Sequence, residues 1–260
     1  MLRKPISLIT LLLATLALAA CGSPEAAAAI PSPSPTPLPA VTATPTPLTA
    51  TPTTTPEPTL TPTPAPSATP TPLFTESTRR ETRGSVTLIT TTRQTEYFIH
   101  GLTGEELDRE MRTVGPTDAS AGLHWYALTE PHFNWDRTCT CTDAGCTARE
   151  VTMYLTVDYW LPLWVAPDEA ADDLVWSWQA FREALAEHEY GHGNLAAACA
   201  WSLGETFVAL PPAPNCDALD AAMLSAAQPV FAACRAEQRG YENATNHGRT
   251  QGVLWPPGGG

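Results

Sequence analysis

The sequence predicts an α+β fold, in which a mostly antiparallel N-terminal sheet precedes two long C-terminal helices. Residues typical of strands recur between positions 85 and 165. Beyond Pro167, apolar residues repeat at three- and four-residue spacing, which is the period of an α-helix. Strands first and helices later are typical of α+β domains, and the 260-residue chain shows no internal repeat.

The distribution of proline predicts the domain organisation. Most of the 27 prolines lie between Pro24 and Pro72, among Thr, Ala and Ser. Proline lacks a backbone donor and has a fixed φ angle, so neither helix nor sheet propagates there. The segment also offers too little apolar surface to fold. We therefore predict a Pro/Thr-rich disordered spacer at residues 21–73 and a single folded domain at residues 74–260.

The first 20 residues have the pattern of an export signal. Arg3 and Lys4 precede an apolar run, residues 6–20, that is shorter than the roughly 20 residues needed by a membrane-spanning helix. The run ends in Leu-Ala-Ala before Cys21, which resembles the lipobox of bacterial lipoproteins. We expect a lipoprotein signal peptide at residues 1–20 and lipidation of Cys21, which anchors the chain outside the cytoplasmic membrane. An ordinary signal peptide that contains a cysteine is the alternative.

The charge balance excludes one class of partner. The chain carries 14 basic and 27 acidic residues, a net charge of −13, and its only lysine is Lys4. Proteins that bind phosphate backbones need clustered Lys or Arg, so nucleic acid is excluded as a partner. Polybasic attachment to anionic lipid is excluded for the same reason. We expect a monomer that meets the membrane only through its lipid anchor.

The strand region contains several predicted elements. Residues 85–99 and 151–165 are rich in strand-forming side chains, and the second run alternates apolar and polar residues. Between them, a Thr-x-x-Glu capping box at Thr103 starts a short helix. Aromatic residues between positions 122 and 135 predict two further strands, separated at Glu130-Pro131.

Two long helices are predicted in the C-terminal part of the chain. The first begins after Pro167 and continues to about Leu210, where three prolines end it. The second runs from about Cys216 to Tyr241, and Pro229 is expected to kink it.

The motif His188-Glu189-Tyr190-Gly191-His192 lies within the first long helix. Positions i and i+4 share a helix face, so two imidazoles there can converge on one metal ion. Glu189 lies beside such an ion without being a ligand, and its carboxylate can accept a proton from water. This is the H-E-x-x-H pattern of zinc peptidases. Paired histidines with ordinary hydrogen bonds, or a metal site without catalysis, are the alternatives.

A third protein ligand is needed, because catalytic zinc sites bind three side chains and leave a fourth position open. His247 is the preferred candidate, since the second long helix can return antiparallel and bring it over the first. Asp217 and Asp220, at the start of the second helix, are the alternatives. Glu205 is excluded, because it lies about 20 Å from His192 along a continuous helix.

Together with other positions, these residues resemble a bacterial family of secreted zinc-dependent proteases that was long catalogued as a domain of unknown function. The resemblance covers residues 97–256 and implies a zincin-like fold and site, zinc as the cofactor and His247 as a ligand. The matching positions are His188-Glu189-x-x-His192, Tyr241-x-x-x-Thr245-x-His247-Gly248-Arg249-Thr250-Gln251-Gly252, Gly115-Pro116, Trp135, Leu161-Pro162 and Trp164.

The expected activity is that of a zinc-dependent endopeptidase. Zinc polarises the substrate carbonyl and acidifies water, while Glu189 accepts the water proton and passes it to the leaving amine. Tyr241 and Arg249 are candidate donors to the oxyanion. Carboxylates are expected to orient the metal-binding histidines. Four candidates remain open: Glu183, Glu187, Asp217 and Asp220.

The predicted function is therefore that of a cell-surface lipoprotein metallopeptidase, acting on a peptide or protein substrate. One alternative is a zinc-stabilised envelope lipoprotein without catalysis, which binds a partner or a polymer. Another is a zinc hydrolase that acts on a different kind of bond.

Apart from Cys21, the chain has six cysteines, an even number that predicts up to three disulfides in an exported protein. Cys146 with Cys216 is the favoured pair, because it ties the strand region to the helices. A cysteine zinc site is the alternative, although Cys139-Thr140-Cys141 lacks the paired spacing of a zinc knuckle.

Overall fold

The computed structural model describes residues 18–20, 73–117 and 122–257, with the backbone alone for residues 18–20. The predicted lipidation site Cys21, the predicted spacer up to residue 72 and most of the predicted signal peptide lie outside these residues. Among the described residues, no helix combines the length and the apolar character needed to cross a membrane.

One mixed sheet and two long helices form the architecture. The strands are β1 (Leu18–Ala20), β2 (Phe74–Arg83), β3 (Val86–Ile99), β4 (Ala127–Thr142) and β5 (Gly145–Trp164). The sheet order is β1-β4-β5-β3-β2, in which β3 and β5 are parallel and the other neighbours antiparallel. The helices are α1 (Gly104–Val114), α2 (Asp172–Val208) and α3 (Cys216–Thr245), followed by a 3₁₀ turn at Arg249–Gln251. The α+β prediction, with strands before two long helices, is confirmed.

β4 is longer than the sequence predicts. The expected break at Glu130-Pro131 is wrong, because the strand continues through it and Pro131 lies opposite Val157 of β5. Beyond Thr129, β4 has β5 as its one neighbour among the described strands. Proline is tolerated on such an edge strand, because its missing N–H removes no bond to a second neighbour.

α1 forms where the capping box predicts it. The Thr103 hydroxyl accepts a hydrogen bond from the Glu106 N–H at 3.2 Å, which is the first half of the box. The Glu106 carboxylate accepts from the N–H of Leu102 at 2.8 Å, so the reciprocal bond is made one residue before the cap.

α3 is longer than predicted and carries part of the site described below. The side chain of Asn215 caps its start by accepting from the Ala218 N–H at 2.8 Å. The helix continues through Pro229 and ends at Thr245, one turn beyond the predicted end at Tyr241. The additional turn places the residues after Tyr241 on the helix.

The core lies between the sheet and the two long helices. Alternate residues of β5 face the helices, as the apolar alternation predicts. Four of them are at most 2% exposed: Val151, Met153, Leu155 and Val157. They pack in one cluster with side chains of α2 and α3, among them Leu203, Phe207, Leu219 and Met223. This packing holds α2 against β5 and β4.

Three disulfides use the six cysteines: Cys139–Cys216, Cys141–Cys146 and Cys199–Cys234. The favoured pair Cys146–Cys216 is wrong, because Cys146 lies opposite Cys141 across the β4–β5 hairpin. Cys139 instead ties the sheet to the first residue of α3. Cys199–Cys234 joins α2 to α3 and holds the two helices at a fixed spacing.

We expect Leu155→Ala to lower the free energy of unfolding by about 2–5 kcal/mol, because it leaves a cavity in the core. Leu155 is 1% exposed, whereas the control residue Leu123 is 50% exposed. Leu123→Ala should change the free energy by less than about 0.5 kcal/mol. Urea unfolding of the disulfide-intact chain measures both, and equal effects would contradict the packing of β5 against the helices.

Candidate metal centre

α2 presents the two motif histidines on one face. His188 and His192 are fully buried, and their Nε2 atoms lie 3.3 Å apart. Glu189 is also fully buried and faces the sheet, where its Oε2 accepts a hydrogen bond from the Thr129 hydroxyl of β4. The helix thus directs two imidazoles to one point and holds a carboxylate beside them.

Glu242 of α3 completes a cluster with the two histidines. Its Oε1 lies 2.9 Å from Nε2 of His192, and its Oε2 lies 3.7 Å from Nε2 of His188. Glu242 is 6% exposed, and the potential ligand atoms of all three residues lie within 4.8 Å of one another. Two imidazole nitrogens and a carboxylate oxygen are a ligand set typical of zinc.

His247, the predicted third ligand, lies outside this cluster. Its Nδ1 is 2.9 Å from Oε2 of Glu242, and its side chain is half exposed. The sequence predicts that the second long helix ends near Tyr241, which would leave Glu242 outside the helix. Because α3 continues to Thr245, Glu242 lies on the helix and faces the histidines. His247 follows the helix and contacts the Glu242 carboxylate.

Sequence reasoning missed Glu242, although a signal was present. The buried residues of α3 recur at helical spacing, and they change from apolar to polar along the helix. They are Leu219, Met223, Ala227, Phe231, Gln238, Glu242 and Thr245. A carboxylate on the core-facing side of a helix needs a buried partner, which is a reason to consider it as a ligand.

The other predicted ligands and orienting carboxylates lie elsewhere. Asp220 pairs with Arg137 at 2.6 Å near the start of α3. The remaining candidates have exposed side chains: Glu183 and Glu187 on α2, and Asp217 on α3.

Two glutamines contact the histidines where carboxylates were expected. Nδ1 of His188 lies 2.8 Å from Oε1 of Gln251, and Nδ1 of His192 lies 2.7 Å from Oε1 of Gln238. An amide oxygen is an acceptor, so each Nδ1 carries the proton and each Nε2 presents a lone pair. This is the imidazole form that binds a metal ion through Nε2.

The distances within the cluster fit a tetrahedral ion. Two ligands at 2.0–2.1 Å from zinc lie about 3.3 Å apart. The two Nε2 atoms are 3.3 Å apart, and Glu242 lies 2.9 Å from His192 through Oε1 and 3.7 Å from His188 through Oε2. With both Nδ1 atoms protonated, the facing atoms are all acceptors, and they repel one another unless a cation or a proton lies between them. The donor types and their spacing therefore fit zinc.

Residues 94–248 match the family described as bacterial protein of unknown function (DUF922). The chain belongs to this family. The matched region begins within β3 and ends just beyond α3, so it includes the histidines of α2 as well as Glu242. No curated protein and no solved structure matches the chain.

Burial and neighbouring charges shift the pKa values of three side chains at the site. Burial raises the pKa of Glu189, although His192 and the Thr129 hydroxyl oppose this shift. Burial also acts to raise the pKa of Glu242, but interactions with His188 and His192 outweigh it and lower the pKa to about 2. Burial acts to lower the pKa of His192, and Glu242 and Glu189 outweigh it and raise the pKa. Glu242 is therefore an anion that favours positive charge beside it.

One of the two predicted substrate contacts adjoins the site. The ring of Tyr241 stacks on His188, with centroids 5.1 Å apart and planes 13° apart. Its hydroxyl donates to the backbone carbonyl of His188 at 3.2 Å and accepts from the Gln251 amide at 3.1 Å. Arg249, in the 3₁₀ turn, has an exposed side chain. Tyr241 therefore supports the first histidine as well as lining the site.

We expect Gly191→Ala to lower the free energy of unfolding by about 1–3 kcal/mol, because the added methyl overpacks the contact with Tyr241. A Cβ at position 191 would lie 2.1 Å from the Tyr241 hydroxyl oxygen. The control is Gly240→Ala on α3, where an added Cβ meets nothing within 4 Å. That change should raise the free energy of unfolding by about 0.5–1 kcal/mol, since Ala favours helix. Urea unfolding compares them, and a gain in both variants would show that Tyr241 is not packed on α2.

Proposed function

We propose that this chain is a zinc-dependent endopeptidase, which hydrolyses peptide bonds. The convergence of His188, His192 and Glu242 beside Glu189 carries the proposal. Three ligands from two helices leave one position of a tetrahedral ion for water or substrate. Zinc, when bound, supplies a Lewis acid that polarises a carbonyl and acidifies water.

Glu189 is the proposed general base. The Thr129 hydroxyl holds its Oε2, while its Oε1 has no hydrogen-bond partner within the described chain. That second oxygen can accept a proton from water and pass it to the leaving amine. The pKa raised by burial suits this role, because a carboxylate with a higher pKa accepts the proton of water more readily.

Tyr241 is the better placed of the two candidates for a substrate contact. Its ring lies 5.1 Å from the His188 ring and 4.9 Å from the His192 ring. A phenol at this distance from both imidazoles can donate to an oxyanion formed beside them, once its O–H turns away from the His188 carbonyl. Arg249 could reach a substrate from the exposed 3₁₀ turn, which makes it a candidate for binding.

The N-terminal sequence supports an envelope location. We place a lipoprotein signal peptide at residues 1–20, a lipid on Cys21 and a tether at residues 21–73. The domain would then act as a monomer outside the cytoplasmic membrane, on peptides or proteins within reach of the tether.

A zinc-stabilised lipoprotein without catalysis, which binds a partner or an envelope polymer, is the second candidate. Burial favours it, because His188, Glu189 and His192 are each 0% exposed. Structural zinc sites are closed, whereas catalytic sites keep a position open to solvent. Glu189 separates the two functions, since it is needed for proton transfer and is not a ligand.

We expect Glu189→Gln to lower the rate of peptide cleavage by about 10²–10⁴-fold, because the amide cannot accept the water proton. Zinc content should stay the same. Cleavage of a broad peptide library by the purified full-length chain measures the rate, and elemental analysis measures the zinc. Glu187→Gln is the matched control, since Glu187 lies two residues earlier on α2 with an exposed side chain.

Equal cleavage by the parent chain and Glu189→Gln would overturn the proposed mechanism. A parent chain that holds zinc but cleaves no member of the library would favour the second candidate.

We expect Glu242→Gln to weaken zinc binding, because it replaces an anionic ligand with a neutral amide. Titration of the full-length chain with zinc, in competition with a chelator, should give one tight site in the parent and a weaker one in the variant. Glu237→Gln is the control, since Glu237 is exposed on the same helix. Unchanged zinc affinity in Glu242→Gln would remove Glu242 from the ligand set.

A further inference from the structure

The residues that follow α3 form an unusual left-handed turn. Asn246, His247 and Gly248 have φ angles of 48°, 54° and 77°. Two consecutive residues with a Cβ rarely adopt this conformation, because the Cβ crowds the following carbonyl. Such a turn persists only where surrounding contacts hold it in place.

Those contacts are local and specific. The His247 N–H donates to the Glu242 carbonyl at 2.9 Å, and the Gly248 N–H donates to the Thr245 hydroxyl at 3.2 Å. Gly248 also packs tightly against the site. A Cβ there would lie 2.6 Å from a methyl carbon of Val253 and 3.1 Å from Cγ of His188. The turn therefore folds the chain back over the metal-binding cluster.

The result is that the two oxygens of Glu242 have different partners. Oε1 lies 2.9 Å from Nε2 of His192, on the side of the cluster. Oε2 lies 2.9 Å from Nδ1 of His247, whose side chain is 50% exposed, and 3.7 Å from Nε2 of His188. Nδ1 of His247 lies close enough to Oε2 to restrict the rotation of the carboxylate, so the other oxygen keeps its direction.

We propose that His247 is a positioning residue, whose imidazole pairs with Oε2 of Glu242 and so directs Oε1 to the metal ion. The inference rests on the proposed zinc site, and it assigns to His247 a role outside the ligand set. Residues that hold a metal ligand in this way typically contribute 10–100-fold to metal affinity, as an order of magnitude.

Three substitutions at position 247 separate the contact between the imidazole and Glu242 from the backbone turn. His247→Ala removes the imidazole, and His247→Gly removes it while relieving the left-handed backbone. His247→Asn retains an N–H donor near the place of Nδ1, and Asn tolerates the left-handed region. Zinc affinity of the full-length chain, measured by competition with a chelator, should fall about 10–100-fold in the Ala and Gly variants. The Asn variant should recover most of the loss.

The chain offers a matched control in His132. It is 49% exposed and pairs with a carboxylate, Asp158, at 3.2 Å, but on β4 and β5 rather than beside α3. His132→Ala should leave zinc affinity unchanged. The absorption spectrum of the Co²⁺-loaded chain gives a second readout, because its bands report the number and type of ligands. His247→Ala should keep the band positions of the parent.

Parent affinity in His247→Ala would overturn this inference and leave the proposed zinc site intact. Shifted Co²⁺ bands in His247→Ala would also overturn it, by making His247 a ligand. Loss in Ala with full recovery in Gly would assign the effect to the backbone instead. A parent chain that binds neither zinc nor Co²⁺ would overturn the zinc proposal and, with it, the role of His247.

Discussion

The buried contact between the Glu242 carboxylate of α3 and two imidazoles of α2 is the constraint on which the rest of the site depends. An ionised carboxylate removed from water is costly unless opposite charge or donors compensate it. The two helices must therefore pack in one register, with Glu242 level with His188 and His192. The Cys199–Cys234 disulfide and the Gln238 amide, both between the same helices, keep that register.

The polar residues around the cluster follow a consistent charge balance. Gln238 and Gln251 contact the imidazoles as neutral amides, where carboxylates would add negative charge to a buried region. The buried carboxylates at the cluster are then Glu189 and Glu242, and one divalent cation would balance both. Neutral orienting groups are thus compatible with deep burial, because they fix the imidazole tautomer without adding charge.

Two glycines of α2 show how closely the site is packed. A Cβ at Gly191 would meet Tyr241 of α3, and a Cβ at Gly193 would lie 1.7 Å from the Tyr159 hydroxyl of β5. Helix propensity alone disfavours glycine at both positions. Tertiary packing explains them, since each tyrosine occupies the space of a missing side chain.

The sequence by itself determined the features that depend on neighbours along the chain. These are the order of strands and helices, the apolar alternation of β5 and the pairing of His188 with His192 on one helix face. Only the tertiary structure decided the third member of the cluster, the two orienting glutamines and the disulfide partners. The reason is that each of these joins residues far apart in sequence, and helix length sets their alignment. One additional turn of α3 brings Glu242 to the histidines and leaves His247 beyond the helix. The helical spacing in that turn is carried by polar residues, so apolar periodicity does not mark where the helix ends.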